Sequence, residues 1–499
     1  MEPVTKLRPS RREFLRMATV ATIGVMAASC APAPAPTSAP PTAAQAQEEA
    51  TQAPESTAVP EATEVPAATA APAASGATKI VIFVGFGTGT DPGQIEGHNK
   101  LAEEYNAAHK DIQIEFLTVP HEERNTKFST MVAGNLAPDI CMPIGVGGVA
   151  AFFDEWLDIK PYIDRDKYDL SVFVGLTVQY HTYPDRTLGL PIGVYPEVLY
   201  YNEDLFDTAG VDYPPHQYGD ETWTYDAMAE LARKLTFDEA GNDATAAGFD
   251  WKKTKQWGWD TWEGLRDMAP RWGGSPLCTT PDYKKAIVNS PEWLAAAQWM
   301  ADLVWKLHVR ANSEQATAFS EASDPMGSGR VAMWDSQSWM AYAYQGWTDA
   351  FNWNMAAIPA GPVGVWTDND ADTFVLSKHG THQDQAWEVA KWFASEEIIP
   401  RLTSIWGCVP ARSANLAKWK SEQEAAWPNK DWQVMLDGLD HSGVPNTECW
   451  IPDPEKITDT VNKHWDLINT GENTNVKEVM DQCNTAVQAI LDDYWKAHS

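Results

Sequence analysis

Residues 188–206, with the sequence LGLPIGVYPEVLYYNEDLF, decide the fold of this chain. The first half is rich in apolar and β-branched residues, yet Pro191 and Pro196 interrupt it, and proline cannot donate to a central ladder. The pattern therefore favours an exposed strand, or one that passes from one domain to another. The second half predicts a short helix, because Asn202 can cap its start and Gly210, just downstream, can end it after about two turns.

The pattern PxGxxxxxLYYNxDLFxxAG in residues 191–210 resembles the first hinge of the sugar-binding proteins of ABC importers, the maltodextrin-binding type of extracellular solute-binding proteins. Five further stretches resemble this family and follow in its order. They are GNLAPDICMP (134–143), GSGRVAMWDSQSW (327–339), TFVLSK (373–378), AWEVAKWFAS (386–395) and GCVPAR (407–412). The resemblance thus runs from residue 79 nearly to the end of the chain.

The resemblance implies an α/β fold of the type II periplasmic-binding-protein kind, with two lobes and three crossings between them. We expect the crossings near residues 191–196, 331–336 and 371–376. The N-terminal lobe is then predicted to comprise residues 79–193 plus 337–371, and the C-terminal lobe residues 197–330 plus 377–499. A signal peptide (1–29) and a segment with a lipidated cysteine and a disordered linker (30–78) are predicted to precede both lobes.

The first 29 residues have the order of an export signal, since the basic stretch SRREFLR at 10–16 precedes a short uncharged run. That run is too short to span a bilayer. Arg11 and Arg12 resemble a twin-arginine signal, although a Sec route stays open. Residues 27–30, AASC, resemble a lipobox, which implies that Cys30 is lipidated and anchors the protein to the outer face of the cytoplasmic membrane.

Between residues 31 and 78 the chain has no aromatic residue, lysine or arginine, so it cannot bury a core and is predicted to be a disordered tether. From residue 79 onward, strand-like and helix-like segments alternate as in an α/β domain. Gly85, Gly87 and Gly89 follow the first strand but do not fit a dinucleotide or P-loop pattern. No cofactor is therefore predicted.

A net charge of −32 and a pI near 4.6 argue against nucleic acid as a partner and favour a neutral or cationic ligand. The chain has 24 tryptophans, which must either pack in a core or line a cleft. Besides Cys30 there are five cysteines with no CxxC spacing, so the sequence leaves their pairing open.

By resemblance, the ligand is a mono- or oligosaccharide, delivered to ABC permease subunits by a monomeric protein. Trp339 occupies the place of a sugar-stacking tryptophan. Tyr195 stands where the family commonly has a carboxylate, and Glu197, two residues on, is predicted to replace it. The predicted ligand-binding residues are Thr88, Asp91, Pro143, Ile144, Tyr195, Glu197, Trp259, Trp262, Arg266, Trp339, Asp372 and Trp450.

The sequence also contains features of other kinds of site. Asp368, Asp370 and Asp372 resemble the start of a calcium loop, but Thr373 and His379 stand where such a loop needs Gly and Glu. Acceptors for sugar hydroxyls or for a cationic ligand are favoured, and no metal is predicted. An exported glycoside hydrolase stays open, because paired carboxylates have no fixed spacing. A redox protein lacks the necessary motifs, and an adhesin would not need three crossings.

Overall fold

The computed structural model describes residues 76–317 and 324–498, so the predicted signal, Cys30 and nearly all of the predicted linker lie outside the described residues. The strands are β1 (Thr78–Val84), β2 (Ile112–Thr118), β3 (Ile140–Ile144), β4 (Gly189–Tyr195), β5 (Glu197–Asn202), β6 (Phe237–Asp238), β7 (Thr254–Thr261), β8 (Val331–Gln337), β9 (Trp353–Ala356), β10 (Asp370–Leu376) and β11 (Val409–Pro410).

The α-helices are α1 (Pro92–Ala108), α2 (Arg124–Ala133), α3 (Val146–Ala151), α4 (Lys160–Asp166), α5 (Glu203–Ala209), α6 (Tyr225–Leu235), α7 (Leu265–Met268), α8 (Pro291–Trp305), α9 (Ser313–Ala316), α10 (Tyr344–Ala350), α11 (Gln383–Phe393), α12 (Ile399–Trp406), α13 (Ser413–Ala426), α14 (Trp432–Asp437), α15 (Pro454–Asn469) and α16 (Val476–Ala497). Short 3₁₀ turns occur at His121–Glu123, Phe153–Glu155, Leu170–Val172, Thr177–His181, Trp251–Lys253, Ala269–Trp272, Ser338–Tyr342 and Gly438–His441.

These strands form two sheets, as the alternating pattern and the family resemblance predict. The first has the order β11-β4-β10-β3-β1-β2, and the second has the order β6-β7-β8-β5-β9. In the first sheet β1 pairs parallel with β2 and β3, while β10 runs antiparallel to both β3 and β4. Mixed sheets covered by helices are what an α/β protein with crossing strands requires.

The first predicted crossing is confirmed, because β4 belongs to the first sheet and β5, which begins one residue later, belongs to the second. The predicted helix follows as α5, where Asn202 Oδ1 accepts from Leu205 N at 3.2 Å and Gly210 has a left-handed φ of 66°. The expectation of an exposed strand is wrong, since all of β4 is buried. Pro191, which has no N–H to donate, pairs with Thr373 of β10, and the β4–β10 register shifts between Asp372 and Thr373 at this point.

The other two crossings lie further along the chain than predicted. β8 stays in the second sheet beside β5, and β9 pairs with the opposite edge of β5, so residues 337–356 do not return to the first lobe. The chain returns between β9 and β10. Helix α12 and strand β11 then pack against β4, which places them with the first sheet and leaves the third crossing after Pro410. The predicted lobe boundaries at 337–371 and 377–499 are therefore wrong.

Most of the tryptophans form core rather than cleft. Seven indole rings are essentially fully buried, and they belong to Trp259, Trp293, Trp334, Trp347, Trp353, Trp387 and Trp432. Trp353 lies stacked on Tyr344 at 4.8 Å between ring centroids and meets Trp347 edge-on at 5.4 Å. Offset and edge-to-face contacts of this kind stabilise a core beyond their buried area. Candidates for ligand contact are therefore the tryptophans that remain accessible.

Candidate functional site

The first crossing and the end of β8 bring three aromatic side chains together. Ser338 N donates to Pro196 O at 2.9 Å, which holds the start of the 338–342 turn against the crossing. Trp339 consequently lies beside Tyr195, with 5.9 Å between ring centroids. Trp262 N donates to Asp335 O at 3.0 Å, and its indole meets Trp339 edge-on at 6.2 Å.

This aromatic group, Tyr195, Trp262 and Trp339, is accessible at one end. Trp262 is 52% exposed, Trp339 is half-buried and Tyr195 is buried. Aromatic rings with an open face bind the apolar faces of hydroxylated rings while hydroxyls reach polar neighbours. Three predicted site residues are thus brought together, and they form a platform.

Carboxylates of the first sheet border this platform. Tyr195 OH donates to Asp372 Oδ2 at 2.9 Å. A Cβ built at Gly145 would lie 3.1 Å from Asp370 Oδ2 and 3.5 Å from Asp372 Oδ1, so both carboxylates face the turn after β3. Burial raises the pKa of Asp372 to about 7, and burial together with the neighbouring Asp372 charge does the same to the pKa of Asp370.

The segment 443–450 reaches this turn from the other side. Gly147 N donates to Glu448 Oε2 at 3.0 Å. Loss of hydration, together with the charge of Asp370, raises the pKa of Glu448 to about 7. Two residues further on, Trp450 stacks on Phe153 with centroids 4.7 Å apart and contacts Tyr283 at 5.3 Å. A second aromatic group, Phe153, Tyr283 and Trp450, therefore includes the predicted Trp450.

A second set of carboxylates lies next to Trp262. One oxygen atom from each of Glu263, Asp267 and Asp368 lies within 4.8 Å of the other two. Gln337 Nε2 donates to Glu263 Oε1 at 2.7 Å and to Asp368 O at 3.1 Å. Thr447 Oγ1 donates to Asp368 Oδ2 at 2.8 Å. Asp368 therefore faces Glu263 and Asp267 rather than Asp370 and Asp372, so the aspartates of the apparent calcium loop separate.

Glu197, which is predicted to bind ligand, is engaged inside the protein. It is fully buried, and both of its oxygens accept hydrogen bonds from Arg271 Nη2, at 2.8 and 2.9 Å. Asp368 N donates to Glu197 Oε2 at 2.6 Å. With its oxygens satisfied inside the protein, this carboxylate ties the second crossing segment to the second sheet.

Three other predicted residues also serve the fold. Trp259 is fully buried and donates from Nε1 to Asp335 Oδ1 at 2.9 Å. Arg266 donates to two backbone carbonyls, Pro276 O at 2.7 Å and Cys449 O at 3.2 Å. Ile144 is fully buried in the smaller apolar core of the first sheet. Their burial and hydrogen bonds connect them to the protein interior, and a ligand role for them stays a prediction.

Of the last three predicted residues, Thr88 and Asp91 lie around the start of α1 and Pro143 lies in β3. Asp91 occupies the N-cap position, and Gln94 Oε1 accepts from its backbone N at 3.3 Å. Gln94 Nε2 donates to Thr88 Oγ1 at 2.6 Å, so Thr88 is held by the same side chain. Pro143 is buried and follows a cis peptide bond in β3. A ligand role for these residues stays a prediction.

Sequence reasoning missed Phe153, Glu263, Asp267, Gln337 and Glu448. Glu263 and Glu448 stand one and two residues from predicted tryptophans, which was the available signal. Asp267 and Gln337 likewise stand one and two residues from the predicted Arg266 and Trp339, whereas Phe153 reaches Trp450 from a distant part of the chain. The five cysteines of the described part, Cys141, Cys278, Cys408, Cys449 and Cys483, are free and buried. No helix in residues 76–317 or 324–498 has the length and apolarity needed to cross a bilayer.

Comparison with known proteins places these features in a family. The sequence model described as bacterial extracellular solute-binding protein matches residues 92–399. A binding protein of Brucella abortus (strain 2308) is 22% identical over 318 residues, which cover 61% of this chain and 70% of that protein. The sn-glycerol-3-phosphate-binding periplasmic protein of Pectobacterium atrosepticum is 30% identical over 192 residues, 36% of this chain and 38% of that protein.

A solved structure shares the fold. It is an ABC substrate-binding protein from Listeria monocytogenes in complex with cycloalternan, and it aligns with a TM-score of 0.65 and 21% identity. The alignment covers 83% of this chain and 99% of that chain.

Proposed function

Because the chain belongs to the family of bacterial extracellular solute-binding proteins, we propose that it is the carbohydrate-binding component of an ABC importer. In this proposal a mono- or oligosaccharide binds between the two lobes and is delivered to permease subunits in the membrane. A ligand that contacts both lobes favours their closed arrangement in proportion to its differential affinity for that arrangement. The permease then recognises the closed form, and binding needs no chemical step.

The observation that carries the proposal is the platform of Tyr195, Trp262 and Trp339 with Asp372 at its edge. Indole and phenol rings offer apolar faces to a pyranose, and the carboxylate accepts hydrogen bonds from hydroxyls. A site built to pair hydroxyls rejects analogues that lack them, because an unpaired buried polar group costs about 1–3 kcal/mol. The cycloalternan complex of the Listeria protein supports the same ligand class.

The charge of the site opposes an anionic ligand. Asp372 contacts Tyr195, Asp370 faces the same turn, and Asp368 lies within 4.8 Å of Glu263, the neighbour of Trp262. These groups offer acceptor oxygens, and Asp370 and Asp372 gain negative charge as pH rises through their pKa of about 7, so a phosphate such as the ligand of the Pectobacterium relative is disfavoured.

The same carboxylates favour a second candidate ligand, a cationic molecule such as an amino sugar or a polyamine. Opposite charges at this range attract strongly where water is partly excluded. We favour the neutral sugar because the aromatic platform leaves the indole of Trp262 accessible for stacking. A glycoside hydrolase is disfavoured by family membership, and release of reducing ends from an oligosaccharide would reinstate it.

Intrinsic tryptophan fluorescence tests the proposal. The purified protein is titrated with a panel of neutral mono- and oligosaccharides, with sn-glycerol-3-phosphate and with spermidine. We expect saturation by at least one neutral sugar at micromolar concentration, roughly −8 kcal/mol, and no response to glycerol phosphate. A response to spermidine alone would replace the carbohydrate by the cationic ligand.

For the membrane anchor we propose lipidation at Cys30 and export by the twin-arginine pathway. The lipobox-like AASC at 27–30 and the Arg11–Arg12 pair support this. A Cys30→Ala variant is expected to appear in the soluble extracytoplasmic fraction, while the parent chain stays with membranes and incorporates labelled palmitate. Equal fractionation of the two proteins would remove the anchor from the proposal.

A further inference from the structure

The carboxylates of Glu263, Asp267 and Asp368 converge although they come from two distant parts of the chain. Glu263 and Asp267 flank the start of α7, and Asp368 lies in the second crossing segment. Glu263 and Asp368 are buried, at 3% and 8% exposure, and Asp267 is half-buried. From this convergence and from the amide of Gln337, we propose that Glu263, Asp267 and Asp368 bind one divalent cation of the size of Ca²⁺.

Gln337 provides an observation that does not depend on the carboxylates. Its side chain is 3% exposed, and its Nε2 contacts both Glu263 Oε1 and Asp368 O. Its Oε1 is buried and has no hydrogen-bond partner among the described residues. A buried amide oxygen without a donor is costly. Rotating the amide by about 180° would exchange Oε1 with Nε2 and place the oxygen beside Glu263 Oε1, where a bound cation would give it a partner.

The local charge balance points the same way. Arg271 is the basic side chain whose charge acts on both Glu263 and Asp368, but it already pairs with Glu197 at 2.8 Å and faces Asp335 at 3.7 Å. Glu263, Asp267 and Asp368 bring three carboxyl groups together at this one point. A divalent cation compensates this excess of negative charge without requiring the carboxyl groups to be protonated.

The donor set and the spacing select the type of ion. Carboxylate and amide oxygens are the ligands of Ca²⁺ and Mg²⁺, whereas Zn²⁺ favours nitrogen and sulfur. With metal–oxygen distances of about 2.4 Å, oxygens on opposite sides of one Ca²⁺ are about 4.8 Å apart. The three carboxylates satisfy that limit as they stand. Mg²⁺ would require a tighter arrangement, because its metal–oxygen distances are about 2.1 Å.

Such an ion connects three segments of the chain. It joins the second crossing segment, through Asp368, to the second lobe, through Glu263 and Asp267. Thr447, which donates to Asp368, adds the 443–450 segment to the same point. The ion therefore holds these segments together next to Trp262. This inference does not depend on which solute the protein binds.

Calorimetry and terbium luminescence test the site on the full chain after treatment with EDTA. We expect one equivalent of Ca²⁺ to bind, with Kd on the order of 10⁻⁴ M or tighter, and to raise the thermal midpoint. Tb³⁺ should replace it and emit on excitation of the indole of Trp262, the neighbour of Glu263 in the chain. Glu263→Gln and Asp267→Asn should each weaken binding at least tenfold, whereas Glu230→Gln, on the exposed face of α6, should not.

Two results would overturn the inference. One is the lack of heat, terbium emission and thermal shift at millimolar Ca²⁺. The other is binding that both substitutions leave unchanged. Asp267 is half-buried, so Asp267→Asn keeps the test valid if Glu263→Gln does not fold. In EDTA, Asp267→Asn should have a higher thermal midpoint than the parent, because repulsion between carboxylates is removed. Adding Ca²⁺ should no longer raise the thermal midpoint of this variant. A Ca²⁺-induced rise equal to that of the parent would contradict the site.

Discussion

Arg271 Nη2 donates to both carboxylate oxygens of Glu197, at 2.8 and 2.9 Å, and both side chains are completely buried. Glu197 begins β5, the first strand after the crossing, and Arg271 follows α7. Buried pairs of this kind do not by themselves demonstrate stability, since desolvation offsets much of their attraction. The pair instead fixes the position of the second crossing segment, because Glu197 also accepts a hydrogen bond from Asp368 N at 2.6 Å.

Replacing Arg271 by Met should destabilise the protein by about 3–5 kcal/mol, because Glu197 would be left as an uncompensated buried charge. Urea denaturation followed by circular dichroism measures this loss. Arg233→Met is the matched control: Arg233 pairs with Glu230 on the surface, and its loss should cost less than about 1 kcal/mol. The double variant Glu197→Gln with Arg271→Met should recover part of the loss, and additive losses would contradict the explanation.

Trp339→Ala should weaken ligand binding by about 1–3 kcal/mol while the fold stays intact, since a stacking ring is lost from an accessible platform. Titration calorimetry with the sugar identified by fluorescence provides the measurement. Trp251→Ala is the control, because Trp251 stacks on His308 and takes no part in the platform. Unchanged affinity in Trp339→Ala would remove this residue from the site.

The buried acids make stability depend on pH. The pKa of Asp372 is raised to about 7 in the folded protein, so the folded state holds this proton more tightly than the unfolded chain does. Its contribution to stability therefore increases as pH falls from about 8 toward 5 and disappears as pH rises through 7.

Asp372→Asn should remove this contribution. The stability gained between pH 8 and pH 5 should be smaller in the variant than in the parent by about 2–3 kcal/mol. Denaturation at the two pH values measures the difference, with the exposed Asp349→Asn as control. Parallel pH profiles for Asp372→Asn and the parent would contradict a raised pKa at this carboxyl.

Gly189 lies where β4 and β10 approach closely. A Cβ there would lie 2.6 Å from Phe374 O and would also meet Thr373 Oγ1. Gly189→Ala should therefore cost about 1–3 kcal/mol through overpacking. Gly346→Ala is the opposite case, because Gly346 lies within α10 and its Cβ would meet nothing within 4 Å. That substitution should stabilise by about 0.5–1 kcal/mol, and thermal denaturation compares the two.

Much of the architecture follows from local patterns in the sequence. The first strand, and the helix capped by Asn202 and ended by Gly210, are confirmed, because capping and glycine conformation act within a few residues. The later lobe boundaries were wrong because β8 and β9 both pair with β5. Strand pairing is a long-range choice, and the apolar stretches at 331–337 and 353–356 do not specify their sheet.

The sequence by itself determined the family and the first crossing, and it predicted ligand-binding roles for Tyr195, Trp262 and Trp339, which the fold brings together. Their types and their place in recognisable motifs were enough for that. Only the tertiary structure decided which carboxylates are paired inside the protein and which remain free to contact a ligand or an ion. It pairs Glu197 with Arg271 inside the protein and turns Asp368 away from Asp370 and Asp372 toward Glu263 and Asp267. The reason is physical, because burial, hydrogen-bond partners and charge balance depend on residues that meet in space from distant parts of the chain.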